Sequence, residues 1–325
     1  MTSALGIRRA RPADRAAILA LLAASLGRDA SDPRYDDLFA WKHEQNPVGP
    51  SPIWVATDGN RVAGVRVMMR WEFHLGARRL RAVRAVDTAT HPDYQGQGIF
   101  TRLTLHAIEE LRDEGLDFVF NTPNDQSLPG YLKMGWQTVG RLPTAVRPTS
   151  VAAISRIIAA RVPAERWSLP ATVGVPARRV LDQPAALDTL VNTQPVPEAV
   201  TTRRDARYLQ WRYGTPLLGY RAVTTAEGPS AGVAFVRMRA RGPARELVVA
   251  DVLVPGARRA LDARLMRELA RGTEADYLIR LGGGLVSPGP MLRLPGQGPL
   301  LTWRAVCEPL VPRRWALTLG DIELF

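Results

Sequence analysis

The second half of this chain can be laid over the first, and that internal repeat limits the possible folds more than any other feature. At an offset of about 170 residues, Trp211 falls on Trp41, Arg212 on Lys42, Leu209 on Phe39 and Gly219 on Gly49. With small changes of offset, Ala231, Gly232 and Val233 fall on Ala63, Gly64 and Val65, Asp251 on Asp87, Pro255 on Pro92, and Asp276 with Tyr277 on Asp117 with Phe118. The pattern reads as one α/β unit duplicated and diverged; the alternative is chance similarity between two ordinary α/β halves. The 325 residues, 46% of them hydrophobic, are enough for two domains that each bury a core.

Within the first half the punctuation is clear. Pro12 and Asp14 precede a helix from Ala16 to Leu26, with Ile18, Leu21, Leu22 and Leu26 at helical spacing and Gly27 ending the run. A second helix, Tyr35 to Gln45, stops at Asn46 and Pro47. Ile53 to Thr57 and Arg61 to Phe73 read as strands joined by the turn Asp58, Gly59, Asn60. Then follow a strand Leu80 to Thr90, a helix Gly98 to Arg112, a short buried strand Asp117 to Asn121, a helix Ser127 to Lys133 and a strand Trp136 to Arg141. This α/β alternation predicts a mixed sheet with helices on its faces. The prolines between Pro143 and Pro176 and the apolar run Val151 to Ala160 predict a connector with one helix, so the expected domains are 1–145 and 177–325, with the connector at 146–176.

Composition narrows the functional classes. No apolar run approaches the roughly 20 residues of a membrane helix, and no signal-peptide core follows Arg8 and Arg9, so a cytoplasmic protein without a membrane partner is expected. Cys307 is the lone cysteine, and His43, His74, His91 and His106 lack ligand spacing, so no metal is expected. The net charge of +12 invites a nucleic-acid reading. Yet Lys42 and Lys133 are the only lysines, and the arginines are dispersed through every segment rather than clustered, so nucleic acid or tRNA is not the expected partner.

The chemistry concentrates between Asp87 and Trp136. Thr88, Ala89, Thr90, His91, Pro92, Asp93, Tyr94, Gln95, Gly96, Gln97, Gly98, Ile99 and Phe100 run from a strand end through a glycine turn into a helix. Glycines let backbone N–H groups approach a phosphate, and the helix start adds unpaired amides and a positive dipole end. A pyrophosphate suits such a turn, although two glycines can also form a tight turn with no ligand.

The turn resembles motif A of the GCN5-related N-acetyltransferase (GNAT) superfamily, Arg/Gln-x-x-Gly-x-Gly/Ala, with Gln95, Gly98 and Phe100 at the keyed positions and Phe100 departing from the usual Gly or Ala. The resemblance implies that amides from Gln95 to Phe100 hold the pyrophosphate of acetyl-CoA or another acyl-CoA, and that Thr88, Ala89 and Thr90 pair with its pantetheine arm. Asn121 and Asn124, on the next strand and loop, are further candidate cofactor contacts. Tyr131, Leu132, Lys133, Met134, Gly135 and Trp136 resemble motif B, whose tyrosine lies beside the CoA sulfur. A phenol there would protonate the leaving thiolate; otherwise Tyr131 is a helix residue packed on the sheet. Asp87, on one strand face with Val83, Ala85 and Ala89, is the candidate base for the attacking amine, the alternative being a salt bridge to Arg84 or Arg81. His91 and Asp93 are assigned to the turn.

The length and the segment Trp41 to Pro47 are similar to a two-unit branch of the superfamily related to the enhanced intracellular survival acetyltransferases. The implied fold is α/β (α+β) with tandem units, each a mixed, mostly antiparallel sheet flanked by helices. By the same resemblance the C-terminal carboxylate of Phe325 is a candidate base. The second unit, with a single glycine in Val254 to Arg259 and no tyrosine motif after Leu281 to Gly284, is expected to be degenerate and to shape substrate access. Trp41, Trp211 and Tyr213 are candidates to line an amine pocket, or else core aromatics. The expected activity is transfer of an acetyl or other acyl group to a primary amine of a small molecule. The alternatives are an aminoacyl-tRNA-dependent peptidyltransferase and a non-catalytic acyl-CoA-binding scaffold. Oligomeric state is not legible.

Overall fold

The computed structural model describes residues 5–29, 31–282, 291–294, 296–307 and 314–323. The chain divides into two compact units, the first comprising Met1–Phe73, Arg79–Gly140 and Leu300–Val311, the second His74–Arg78, Arg141–Pro299 and Pro312–Phe325.

The first unit runs β1 (Gly6–Arg9), α1 (Arg15–Ser25), α2 (Arg34–Phe39) continuing into a π turn over Ala40–Glu44, β2 (Ile53–Asp58), β3 (Arg61–Leu75), β4 (Arg78–Thr90), α3 (Ile99–Asp113), β5 (Phe118–Asn121), α4 (Leu128–Lys133) and β6 (Gln137–Arg141). The second contains β7 (Thr144–Pro148), α5 (Val151–Ala159), β8 (Val175–Pro176), α6 (Ala177–Leu181), α7 (Pro184–Asn192), β9 (Thr201–Thr202), α8 (Ala206–Gly214), β10 (Arg221–Thr225), β11 (Gly228–Arg241), β12 (Ala244–Leu253), α9 (Arg259–Gly272), β13 (Tyr277–Leu281), β14 (Leu292–Leu294) and, beyond β15 (Leu300–Ala305), α10 (Leu319–Ile322). Strand β15 belongs to the first unit.

The first sheet has the order β1-β2-β3-β4-β5-β15-β6, and the second β8-β10-β11-β12-β13-β7-β14. Place by place they correspond. Among the described pairings each is mostly antiparallel with one parallel pair, β4 with β5 and β12 with β13. A parallel pair needs a crossover rather than a hairpin, and α3 and α9 supply it. The place between the fifth strand and the last is filled by a strand from elsewhere in the sequence, β15 in the first unit and β7 in the second. The segment expected as a connector therefore begins with a sheet strand, because Thr144–Pro148 finds its hydrogen-bond partners on β13 and β14.

Alternation along β2 and β3 sorts the first unit's core into two layers. Val55, Val65 and Val67 pack with Ile18, Leu21, Leu22 and Phe39 of α1 and α2. Trp54, Ala56 and Met68 pack with Ile99, Leu103, Ala107 and Ile108 of α3 and with Tyr131 of α4. On that second face stands Gly64, where an added Cβ would lie 2.6 Å from Cγ2 of Ile99 and 3.3 Å from Cδ1 of Leu103. Its missing side chain is what lets the start of α3 settle on the sheet.

Candidate active site

The β4–β5 ladder sets the site. Its register pairs Ala82 with Phe118, Val83 with Val119 and Arg84 with Phe120, after which β4 runs on to Thr90 without β5 beside it. Three residues past the last pair comes a backbone irregularity, Asp87 at φ 37°, a left-handed value that costs a non-glycine residue roughly 1–2 kcal/mol. Thr88, Ala89 and Thr90 form the free strand end beyond it. Ala89 is buried against α1 and α2, and Thr88 donates from Oγ1 to the Val65 carbonyl at 3.1 Å.

Past β4, His91 caps a single helical turn, Pro92–Tyr94, accepting from the Asp93 amide at 3.3 Å, and Arg61 reaches both His91 (2.9 Å) and Asp93 (3.0 Å). These two residues build the turn, as expected. Gln95, Gly96, Gln97 and Gly98 are exposed, with Gly96 at φ 75° and Gly98 at φ 69°, and no atom lies within 4 Å of where either Cβ would be. Gly98 leads into α3 with no side-chain cap. Helix geometry leaves the first amides of α3 without acceptors, and the open turn presents them to a ligand carrying negative charge. Ile99 turns inward onto Gly64, and Phe100 points between α3 and α4, edge-on to the Tyr131 ring at 5.3 Å. Gly130 makes room for it, a Cβ there meeting the Phe100 ring at 3.0 Å. The bulky ring at the departure from motif A is therefore part of the packing under the cradle.

Tyr131 is 3% exposed, its ring 5.1 Å from Trp136 and its Oη accepting from Nη2 of Arg66 at 2.9 Å. Asn121 and Asn124 are occupied locally. The first accepts from the Thr302 hydroxyl on β15, and the second accepts at Oδ1 from the Ser127 amide (2.9 Å) and hydroxyl (2.8 Å) at the start of α4.

Asp87 requires a correction. Its side chain is 7% exposed and both oxygens are taken, Oδ1 by Arg28 at 3.1 Å and Oδ2 by Lys42 and by His43 Nε2 at 2.8 Å. Burial alone would raise its pKa, but Lys42, His43 and Arg28 together hold the carboxyl well below the usual range. A base must have a free lone pair and a pKa near that of the proton's origin. Asp87 gives most of its acceptor sites to these side chains and its pKa is depressed, so it is a poor base; it anchors the irregular β4 strand to the π turn after α2. Burial lowers Lys42 and His43 in turn, and His43 Nδ1 meets Ser51 Oγ at 3.0 Å. The ion pairs of Asp87 run to Arg28 and Lys42, with His43 beside them, rather than to Arg84 or Arg81. The signal was in the sequence: Lys42 and His43 lie in the Trp41–Pro47 segment and at the repeat positions of Arg212 and Tyr213.

The repeat holds there. Asp251 on β12 accepts from the Tyr213 hydroxyl and from Arg204 Nε at 2.7 Å, as Asp87 on β4 accepts from His43 and Lys42. Tyr213 stacks on Phe235 at 4.3 Å and is 1% exposed; Trp41 is 3% and Trp211 9% exposed. All three are interior side chains, each within its own unit, and the expected amine pocket is not built from them. Phe325 lies outside the described residues.

The second unit's corresponding turn, Pro255–Ala257, has a single glycine, Gly256 at φ 58°, and its amide donates to the Thr193 carbonyl (3.1 Å). The Ala257 and Arg258 amides donate to Val254 (3.0 Å) and Pro255 (3.3 Å), as Tyr94 and Gln95 do to His91 (2.9 Å) and Pro92 (3.2 Å) in the first unit. The stretch from 283 to 290, where a tyrosine motif would follow, lies outside the described residues. Among the described residues no cluster of His, Cys, Asp and Glu could hold a metal ion, and no helix is long and apolar enough to cross a membrane.

Residues 6–139 match the profile of the acetyltransferase (GNAT) domain family. That segment is a GNAT acetyltransferase domain. The match spans β1 to β6, the Gln95–Gly98 turn and Tyr131. No curated protein matches the sequence. Among solved structures, a probable N-acyltransferase from Enterococcus faecalis is similar at TM-score 0.64 and 12% identity, over 94% of this chain and 73% of that one. A GCN5-related N-acetyltransferase from Kribbella flavida is similar at TM-score 0.60 and 14% identity (93% and 72%). Eis1 from Mycobacterium abscessus is similar at TM-score 0.57 and 14% identity (93% and 74%). At such identities the likeness is one of fold, and it extends through both units.

Proposed function

We propose that this protein is an acyl-CoA-dependent N-acyltransferase, with acetyl-CoA the favoured donor, acting on a primary amine of a small molecule such as an amino sugar, an aminoglycoside or another natural-product amine. The observation that supports it most is the exposed Gln95–Gly98 turn, with both glycines at positive φ, opening onto the uncapped start of α3 beside the free end of β4. A phosphate cradle and an unpaired strand edge on one side of the sheet fit a long cosubstrate with a pyrophosphate at one end and amide groups along its arm.

The chemistry we assign is direct transfer. The amine attacks the thioester carbonyl, the C–N bond forms, the C–S bond breaks with its electron pair going to sulfur, and Tyr131 gives its phenolic proton to that sulfur. The amine's surplus proton leaves through water, since Asp87 is held as an anchor. The cradle and the strand edge fix the thioester in position, the larger part of what a ternary-complex transferase must provide.

The test is incubation with acetyl-CoA and a mixed amine library, followed by CoA thiol release and by mass spectrometry of the amines. Acylated amine in step with released thiol is expected. Acyl-CoA binding without turnover would favour the scaffold reading, and tRNA binding without CoA binding would favour peptidyl transfer. A second prediction concerns the cradle's footing: Gly64→Ala pushes against Ile99 and lifts the start of α3, so acyl-CoA binding weakens about tenfold by calorimetry while the amine KM is little changed.

A further inference from the structure

Strand β3 places Arg66 on the same face as Gly64 and Met68, in the layer between the sheet and helices α3 and α4. The residue is 0% exposed. Its carbon Cζ lies 5.4 Å from the Tyr131 ring centroid and 5.5 Å from that of Phe100, and Nη2 donates to Tyr131 Oη at 2.9 Å. Nε and Nη1 have no hydrogen-bond partner among the described residues. A guanidinium in a dry core is normally matched by a carboxylate, because stripping it of water costs several kcal/mol. Here the bond to one phenolic oxygen and two aromatic faces take that place. Nothing about packing alone asks for a cation at this position, where a methionine would fill the space.

We propose that Arg66 is the positioning residue for Tyr131, fixing the phenol so that its proton is aimed at the leaving sulfur and holding the negative charge the oxygen acquires when that proton departs. The inference rests on the acyltransfer reading above. Arginine has donors and no acceptor, so in this pair Tyr131 Oη accepts, and its own hydrogen must point to another group. When the C–S bond breaks, the Tyr131 O–H bond breaks, an S–H bond forms and the electron pair stays on the phenolate oxygen. The Arg66 guanidinium, at hydrogen-bond distance in a low-dielectric layer, stabilises that charge until solvent returns a proton. The cation–π contacts with Phe100 and Tyr131 hold the fork in place between rings.

Steady-state kinetics of Arg66→Met, Tyr131→Phe and the double variant test this in the full-length protein. Arg66→Met is expected to lower kcat about 10- to 100-fold with an unchanged acyl-CoA KM. Its resistance to denaturant should be equal to or above that of the native protein, because a buried unpaired charge has been removed. The double variant should be no slower than Tyr131→Phe alone, since Arg66 acts only through the phenol. Arg66→Lys, which keeps the charge without the fork, should recover part of kcat. If Arg66→Met does not fold, Arg66→Gln, which keeps a donor and drops the charge, takes its place in the cycle. Native kcat in the Arg66 variant beside a slow Tyr131→Phe would overturn this inference and leave the acyltransferase reading standing, as would losses that multiply in the double variant. A native protein without acyl-CoA turnover would overturn both.

Discussion

Tyr131→Phe is expected to lower kcat for amine acylation by about 100-fold or more while leaving the acyl-CoA KM within about twofold, as befits loss of a general acid rather than of a binding contact. The change removes one oxygen and no ring. The contacts with Phe100 and Trp136 stay, so the helix α4 position is preserved. What is lost is the proton for the leaving sulfur and the acceptor for Arg66 Nη2. Stopped assays with the variant at saturating acetyl-CoA read the effect directly, and unchanged turnover would remove the acid role.

The second large effect is on stability. Asp87→Asn should destabilise the first unit by about 3–5 kcal/mol, the usual cost of taking one partner from a buried charge group and leaving the others unmatched. Lys42 and His43, each 2% exposed, and Arg28 would then lose the carboxylate they share. The pH dependence separates an anchor from a base. In the native protein the Asp87 carboxyl is depressed in the folded state, so its contribution is fully present above the unfolded value near 3.9 and is lost as pH falls through the folded value. In Asp87→Asn that acid limb disappears and a new dependence replaces it. Burial already lowers Lys42, and the substitution takes away the carboxylate that pulls it back. The folded variant then binds fewer protons than the unfolded chain, and its stability rises with pH. Urea midpoints across a pH series show both limbs. A folded variant that retains most of its kcat identifies Asp87 as an anchor, and a kcat collapse with unchanged stability would return it to the role of base.

The first unit was legible in the sequence because its elements are punctuated locally. Gly27 closes α1, the turn at Gly59 joins β2 to β3, and the glycines at 96 and 98 sit at the positive φ the cradle needs. The helix after α2 ends near Asn46 as expected, but its last turn widens to a π turn over Ala40–Glu44, and that widening carries Lys42 and His43 to Asp87. Neither the widening nor the φ of Asp87 has a local sequence signal. That Thr144–Pro148 joins a sheet has no local sequence signal for a different reason. Strand pairing is a long-range decision, and five residues flanked by prolines do not say which sheet they will join.

The sequence by itself determined the repeat, the order of strands and helices, the glycine cradle and the place of Tyr131, because each is written in residues adjacent along the chain and needs only backbone preference and hydrophobic period. Only the tertiary structure decided which strand completes each sheet, which cations hold Asp87 and which side chain stands under Tyr131. Those depend on residues far apart in sequence meeting in a dry layer, as Arg66 of β3 meets Phe100 of α3 and Tyr131 of α4. Burial there makes every charge and every unmet hydrogen bond costly. That cost turns an arginine unremarkable among so many in the sequence into the residue placed to steer the phenol.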